Sequence, residues 1–216
     1  MNTGPIRPFR ASYGRRVLVA FAALALAGCG GSTPAPEPGQ NRGFPPDLRG
    51  RRVILLPVQQ VLGVAGDPDA ELAFVLTDRG NEIDWVMADE VDAMLTRSPA
   101  LQTRTRGLPV GVFLQAEVER VGDPLFGQLR RMAGLADAEA ILIPVLASFE
   151  ASEPLPGAID PPTPRVRFTA TIIEPRTGRV VWFGIEEGGD FPQGDPRGLA
   201  SAVENLARTL LWYVGA

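Results

Sequence analysis

Apolar residues fall along this chain in three rhythms, and each rhythm predicts a different element. Short unbroken runs rich in branched side chains occupy 52–58 (Arg-Val-Ile-Leu-Leu-Pro-Val) and 140–146 (Ala-Ile-Leu-Ile-Pro-Val-Leu). Such runs read as strands covered on both faces, with Pro57 marking the end of the first; residues 83–87 read as another strand. Helical spacing follows the punctuation Asp67-Pro68-Asp69, where Leu72, Val75 and Leu76 recur before Gly80. That combination supplies an N-cap, a proline at the first helical position and a glycine stop. Val91, Met94 and Leu95 follow Asp89 and Glu90 and end at Ser98-Pro99; Leu125, Leu129 and Met132 follow Asp123-Pro124 and end at Gly134. A closing helix over 196–213 carries Leu199, Val203, Leu206, Leu210 and Leu211 on one face. The third rhythm is strict alternation over 165–174. Val166, Phe168, Ala170 and Ile172 fall on one side and Arg165, Arg167, Thr169 and Thr171 on the other, which predicts a strand with one wet face. The turn Pro175-Arg-Thr-Gly178 and the run 179–186 complete a hairpin. Residues 108–121 alternate in part and read as a strand, and 153–164, with five prolines, as a loop. Strands and helices alternating in this way define an α/β class.

The longest apolar run stands apart. Residues 17–27 (Val-Leu-Val-Ala-Phe-Ala-Ala-Leu-Ala-Leu-Ala) follow Arg7, Arg10, Arg15 and Arg16, with no acid before them. A bilayer-spanning helix needs about 20 apolar residues, so this stretch predicts an export signal over 1–28 instead. It ends Leu26-Ala27-Gly28-Cys29, and Cys29 is the only cysteine of the chain. These four residues resemble the lipobox of bacterial lipoproteins; the competing reading is a small buried cysteine behind an ordinary signal peptide. The resemblance implies cleavage before Cys29, diacylglycerol on its thiol and a membrane contact through the lipid anchor, a palmitate-type modification. Two or three acyl chains, at about 0.8 kcal/mol per buried methylene, make a durable attachment. Gly30 and Gly31 follow, with no Asp at the second position, which resembles lipoproteins sent on to the outer membrane, facing the periplasm of a diderm envelope. Arg15-Arg16 before Val17-Leu18 also resembles a twin-arginine signal, so Sec and twin-arginine export both stay open.

Composition narrows the chemistry. All 21 basic residues are arginine, and neither Lys nor His occurs among the 216 residues. That removes Ser-His-Asp and Cys-His pairs, histidine metal sites, phosphate-loop lysines and Schiff bases. A single cysteine removes an intrachain disulfide. Loss of 1–28 takes away four Arg and no acid, leaving 17 − 25 = −8, a balance that does not favour nucleic acid. Residues 30–46, rich in Gly, Pro, Ser and Thr, read as the core of a lipidated tether over 29–48, which at about 3.1 Å per residue reaches some 50 Å. Residues 49–216 then form a single domain, large enough to bury roughly 70% of its unfolded surface without disulfide or metal.

The order of pieces within that domain resembles a known group. A strand ending Leu-Leu-Pro-Val58, the junction Ile83-Asp-Trp-Val-Met-Ala-Asp-Glu-Val91, the helix end Met132-Ala-Gly-Leu-Ala-Asp-Ala138 and the hairpin Ile172-Ile-Glu-Pro-Arg-Thr-Gly-Arg-Val-Val-Trp182 are similar to envelope domains of the TolB amino-terminal, CsgG and penicillin-binding-protein-activator lipoprotein group. The resemblance implies an α/β, TolB-amino-terminal-like single domain, a mixed sheet with helices packed on it, that acts by binding other envelope components. The 153–164 loop departs from that pattern, and no amphipathic hairpin of the kind a curli-type pore needs is present.

Candidate chemistry is sparse. Asp67, Asp69 and Glu71 alternate as calcium ligands do, but helix capping accounts for them. Glu186, Glu187 and Asp190 form an acidic loop in which two carboxylates could act as acid and base on a glycan. Arg165 and Arg167, on the predicted wet face, are candidate binding residues for a carboxylate-bearing partner. Trp85 and Trp182 sit inside strands and read as core. Neither a catalytic residue nor a metal site nor a cofactor is expected. The reading is a lipid-anchored, non-enzymatic accessory or adaptor protein of the bacterial cell envelope with an envelope protein partner. The alternatives are a lipoprotein that binds a small ligand or glycan in the crevice at the strand ends, and a carboxylate-only hydrolase. Cys29→Ser is expected to abolish incorporation of labelled fatty acid; equal labelling of wild type and variant overturns the lipoprotein assignment.

Overall fold

The computed structural model describes residues 41–98, 101–115, 117–151 and 164–213. Leu26, Ala27, Gly28 and Cys29, the tether up to residue 40 and residues 152–163 of the proline-rich loop lie outside the described residues. In chain order the elements are β1 (Arg52–Leu55), β2 (Gln60–Leu62), α1 (Pro68–Arg79), β3 (Asp84–Met87), α2 (Ala88–Thr96), α3 (Val112–Gln115), α4 (Leu125–Ala136), β4 (Ala140–Ala151), β5 (Pro164–Glu174), β6 (Arg179–Glu187) and α5 (Pro196–Leu210). They build one six-stranded mixed sheet in the order β3-β1-β4-β5-β6, with β2 beside β4. β1 runs parallel to β3 and β4, whereas β5 and β6 pair antiparallel. The fold is therefore α/β with helices packed on a mixed sheet.

Alternation along the strands divides the core into two layers. Val53, Leu55, Leu142, Phe168 and Trp182 point to the face covered by α1 and α5. Ile54, Ile141, Ile143, Ile173 and Phe183 point to the face covered by α2 and α4. The cap read from the sequence at Asp67 holds the start of α1, and a second cap, at Asp195, holds the start of α5. Asp67 accepts from the Asp69 and Ala70 amides at the start of α1, and Asp195 accepts from the Arg197 amide at the start of α5. Trp182 is wholly buried; Trp85 is half-buried and donates its indole N–H to Gly80 O at 3.0 Å.

Three expectations change. First, β5 has no wet face over most of its length. Thr169 and Thr171 are 1% and 0% exposed, because β5 lies between β4 and β6 with helical layers on both sides. The Thr171 hydroxyl donates to Trp182 O at 2.8 Å, so threonine is buried here without a lost hydrogen bond. Second, residues 108–121 are not a strand. Leu108, Val110, Phe113 and Val121 are all buried, but amides of Phe113 and Leu114 bond back to Val110 and Gly111, which turns the chain into α3. Third, α4 runs through Gly134 and ends at Asp137, whose φ of 52° is left-handed, a conformation that Asp tolerates better than most residues.

Residues 41–48, which the sequence places in the tether, lie on the sheet. β6 has β5 on one side only, and its outer edge is filled from two directions. Val180 N donates to Glu119 O, and Val121 N to Gly178 O. Further along, Arg42 and Phe183 exchange both backbone hydrogen bonds, at 2.8 and 3.1 Å, and Ile185 N donates to Asn41 Oδ1 at 3.3 Å. Leu48 is wholly buried against the α1/α5 layer. Asp47 and Arg49 clamp the end of this segment, and hydrogen bonds from Arg49 hold the Asp47 carboxyl down at about 2.

Gly43 makes this contact possible: its φ is +73°, and an added Cβ lies 2.9 Å from Val181 O. Gly43→Ala combines a left-handed alanine with a backbone clash and is expected to lower stability by about 1–3 kcal/mol. Urea unfolding measures the loss, and hydrogen exchange checks its place, since the Phe183 and Ile185 amides lose protection first.

Candidate functional site

The parallel strands β1 and β3 end side by side, and the chain leaves them in opposite directions. From β1 it passes Pro57 and returns into α1 on one face; from β3 it enters α2 on the other without an intervening loop, Met87 being followed directly by Ala88. This divergence opens a crevice at the carboxyl ends of the strands, the position where α/β sheets bind ligands. Its volume is about 360 Å³. Leu55, Pro57, Ala73 and Met87 give it an apolar floor, and Asp89, Asp92 and Arg106 give it a polar rim.

The outer wall is the segment following α2, held by side chains from several elements. The Gln59 side chain donates to Pro57 O and Thr105 O and accepts from the Leu108 amide, at 2.7, 2.9 and 3.0 Å. Both oxygens of Asp92 accept from the Thr105 hydroxyl, and Arg131 on α4 donates to Thr103 Oγ1 at 2.8 Å. Asp69 bridges wall and floor: Oδ1 accepts from the Val58 amide at 2.6 Å and Oδ2 from Arg106 at 2.7 Å. Beside the crevice lies β2, paired only with β4 among the described residues. Val61 and Leu62 are 46% and 58% exposed, and Phe74 on α1 is 68% exposed. An apolar side chain fits the floor, and an extended segment fits the open edge of β2.

The other candidates are drawn into internal bonding. Asp67 and Asp69 are occupied by helix amides, the Val58 amide and Arg106. No group of three or more metal-ligating side chains occurs among the described residues. Arg165 and Arg167 do not stand on a free face: Arg167 sits opposite Glu187 in the β5–β6 register and meets its carboxylate at 3.3 Å. Arg165 reaches Glu187 at 3.5 Å and Asp190 at 2.5 Å, and the Asp190 bond raises the Arg165 pKa further. Two arginines thus hold two of the three acids of the candidate acidic loop, Glu187 and Asp190, a structural lock near the start of α5. Glu186 accepts instead from Asn41 and Thr209.

The crevice wall and β2 were absent from the sequence reading. Gln59, Asp92 and Thr105 meet only through tertiary folding, and the Gln-Val-Leu of β2 is too short for its period to register.

The class these features define is a mixed α/β domain with a carboxyl-end crevice. No family model matches the chain, and no curated protein matches it. Solved structures to which it is similar include the LpoB C-terminal domain from Salmonella enterica, at 14% identity, with 65% of this chain and 83% of that chain covered and a TM-score of 0.40. The PelC dodecamer from Paraburkholderia phytofirmans is 17% identical over 82% and 98%, with a TM-score of 0.38. Lipoprotein GNA1162 from Neisseria meningitidis is 14% identical over 72% and 96%, with a TM-score of 0.36.

Replacing Arg165 and Arg167 together by Ala leaves Glu187, with a side chain only 22% exposed, without its paired cations. A loss of about 1–2 kcal/mol is expected in urea unfolding. An unchanged unfolding midpoint contradicts the lock.

Proposed function

We propose that this protein is a lipid-anchored, non-enzymatic adaptor of the bacterial cell envelope, held at Cys29 in the outer membrane and facing the periplasm, and that it captures a protein partner at the carboxyl-end crevice. The observation that carries the binding surface is the crevice itself: an apolar floor, a wall fixed by Gln59, Asp69, Asp92 and Arg131, and the open β2 edge beside it. A wall pinned from several elements presents a preformed surface, which lowers the ordering cost of binding. Two of the three acids at the crevice, Asp69 and Asp92, spend their oxygens on fixed protein donors, which supports this non-catalytic reading.

The surface also lies at the far end of the sheet from Arg51, Glu139 and the β5–β6 turn, the end that residues 44–46 cross. An adaptor built this way is attached at one end and recognises at the other. A small ligand is the second reading, favoured by a volume within the usual range for such sites of about 300–1,000 Å³.

Photo-crosslinking from position 62 in intact cells tests the assignment, with position 208 on α5 as control. Val61→Glu with Leu62→Glu is expected to weaken partner capture about tenfold, while the melting temperature stays within the range of ordinary surface changes. Undiminished capture by a folded variant places the partner elsewhere.

A further inference from the structure

At the opposite end of the sheet the chain carries a second exposed apolar surface, and it is aromatic. Phe44 is 68% and Trp212 47% exposed. Their rings meet edge-on with centroids 4.8 Å apart, and Trp212 meets Tyr213 at 5.6 Å. The Trp212 indole donates to Pro45 O at 3.0 Å, the Leu48 amide bonds the Tyr213 hydroxyl at 3.4 Å, and the Arg49 guanidinium lies 4.9 Å from the Tyr213 ring centre. The segment 44–49 and the end of α5 thus build one rigid cluster that faces solvent. Beside it a cleft of about 380 Å³ is rimmed by Arg51, Arg176 and Arg179 interspersed with Glu139 and Glu174, a mixed set with an excess of a single positive charge.

We propose that the Phe44–Trp212–Tyr213 cluster rests on the lipid–water interface of the membrane that holds the anchor. This rests on the lipoprotein reading of Cys29. Because residues 41 and 42 are bound to β6, only eleven residues, twelve Cα–Cα steps, separate Cys29 from the point where the chain joins the sheet. At no more than about 3.6 Å per residue the junction stays within roughly 43 Å of the anchor. Phe44 follows that junction by three residues, so the chain arrives from the membrane beside its exposed aromatics. Trp and Tyr favour the interface; here the Trp212 indole N–H and the Tyr213 hydroxyl are already bonded to Pro45 O and the Leu48 amide, so the rings enter apolar surroundings without losing a hydrogen bond. A tether this short raises the effective concentration of the surface, so that weak intrinsic affinity suffices. The mixed charges around the cluster make the contact apolar rather than electrostatic; it works on neutral lipid and resists salt.

The test uses the mature lipidated protein reconstituted into phosphatidylcholine vesicles whose acyl chains carry bromine near the headgroup. Trp182 is wholly buried and Trp85 half-buried within the fold, so quenching by bromine reports Trp212. The expected result is loss of the long-wavelength part of the emission, unchanged in high salt, absent in Trp212→Phe and reduced in Phe44→Ser, with circular dichroism unchanged in both variants. An unquenched Trp212 overturns the docking. Fatty-acid labelling and flotation are scored on the same sample: a labelled, floating but unquenched protein refutes the docking and leaves the lipoprotein reading intact, whereas an unlabelled protein refutes that reading itself. A blue shift that grows with protein concentration without vesicles identifies a second copy as the occupant and also overturns the proposal.

Discussion

Strand β6 has one partner strand and must find another for its outer edge. An unpaired strand edge is a template for foreign strands, and every amide left on it without a partner weakens the sheet. This chain covers the edge twice with irregular backbone, at 119–121 and at 41–43. Much else depends on that closure. It fixes where the chain from the amino-terminal side enters, brings Phe44 and Pro45 to the end of α5, and buries Leu48 beneath the α1/α5 layer.

Elements whose signal is local were legible in the sequence. Strands β1, β3 and β4, the α1 cap at Asp67 with its stop at Gly80, the β5–β6 hairpin and α5 all follow from runs, periods and caps that lie within a contiguous stretch of chain. The pattern misled where burial was decided from a distance. Thr169 and Thr171 read as a wet face because a hydroxyl looks polar in isolation, yet the Trp182 carbonyl satisfies one of them. Arg165 and Arg167 read as a free surface because their acids arrive from β6 and the loop beyond it. A glycine- and proline-rich composition does not mark where the docked segment begins, which is set by bonds between residues 41 and 42 and residues 183 and 185.

The candidate site was legible only as a place. A crevice at the strand ends follows from the α/β alternation, but its wall needs Gln59 to meet Thr105 and Leu108, and Asp92 to meet Thr105. Those contacts join residues whose spacing carries no recognisable motif. His and Lys are absent from the whole chain, so no motif built on either residue marks the site, and its lining is apolar area with a few carboxylate and guanidinium groups.

The docked segment 41–48 also has a mechanical consequence. A pull on the chain ahead of Asn41 loads first the Asn41 and Arg42 hydrogen bonds to β6, and these join the sheet at its rim rather than through its core. Under tension the segment can peel from its rim end towards Leu48 while β1, β4 and β5 stay paired. Eight residues paid out in this way add at most about 29 Å of reach, so the covered edge doubles as stored slack, recovered when the load falls and the segment settles back onto the strand.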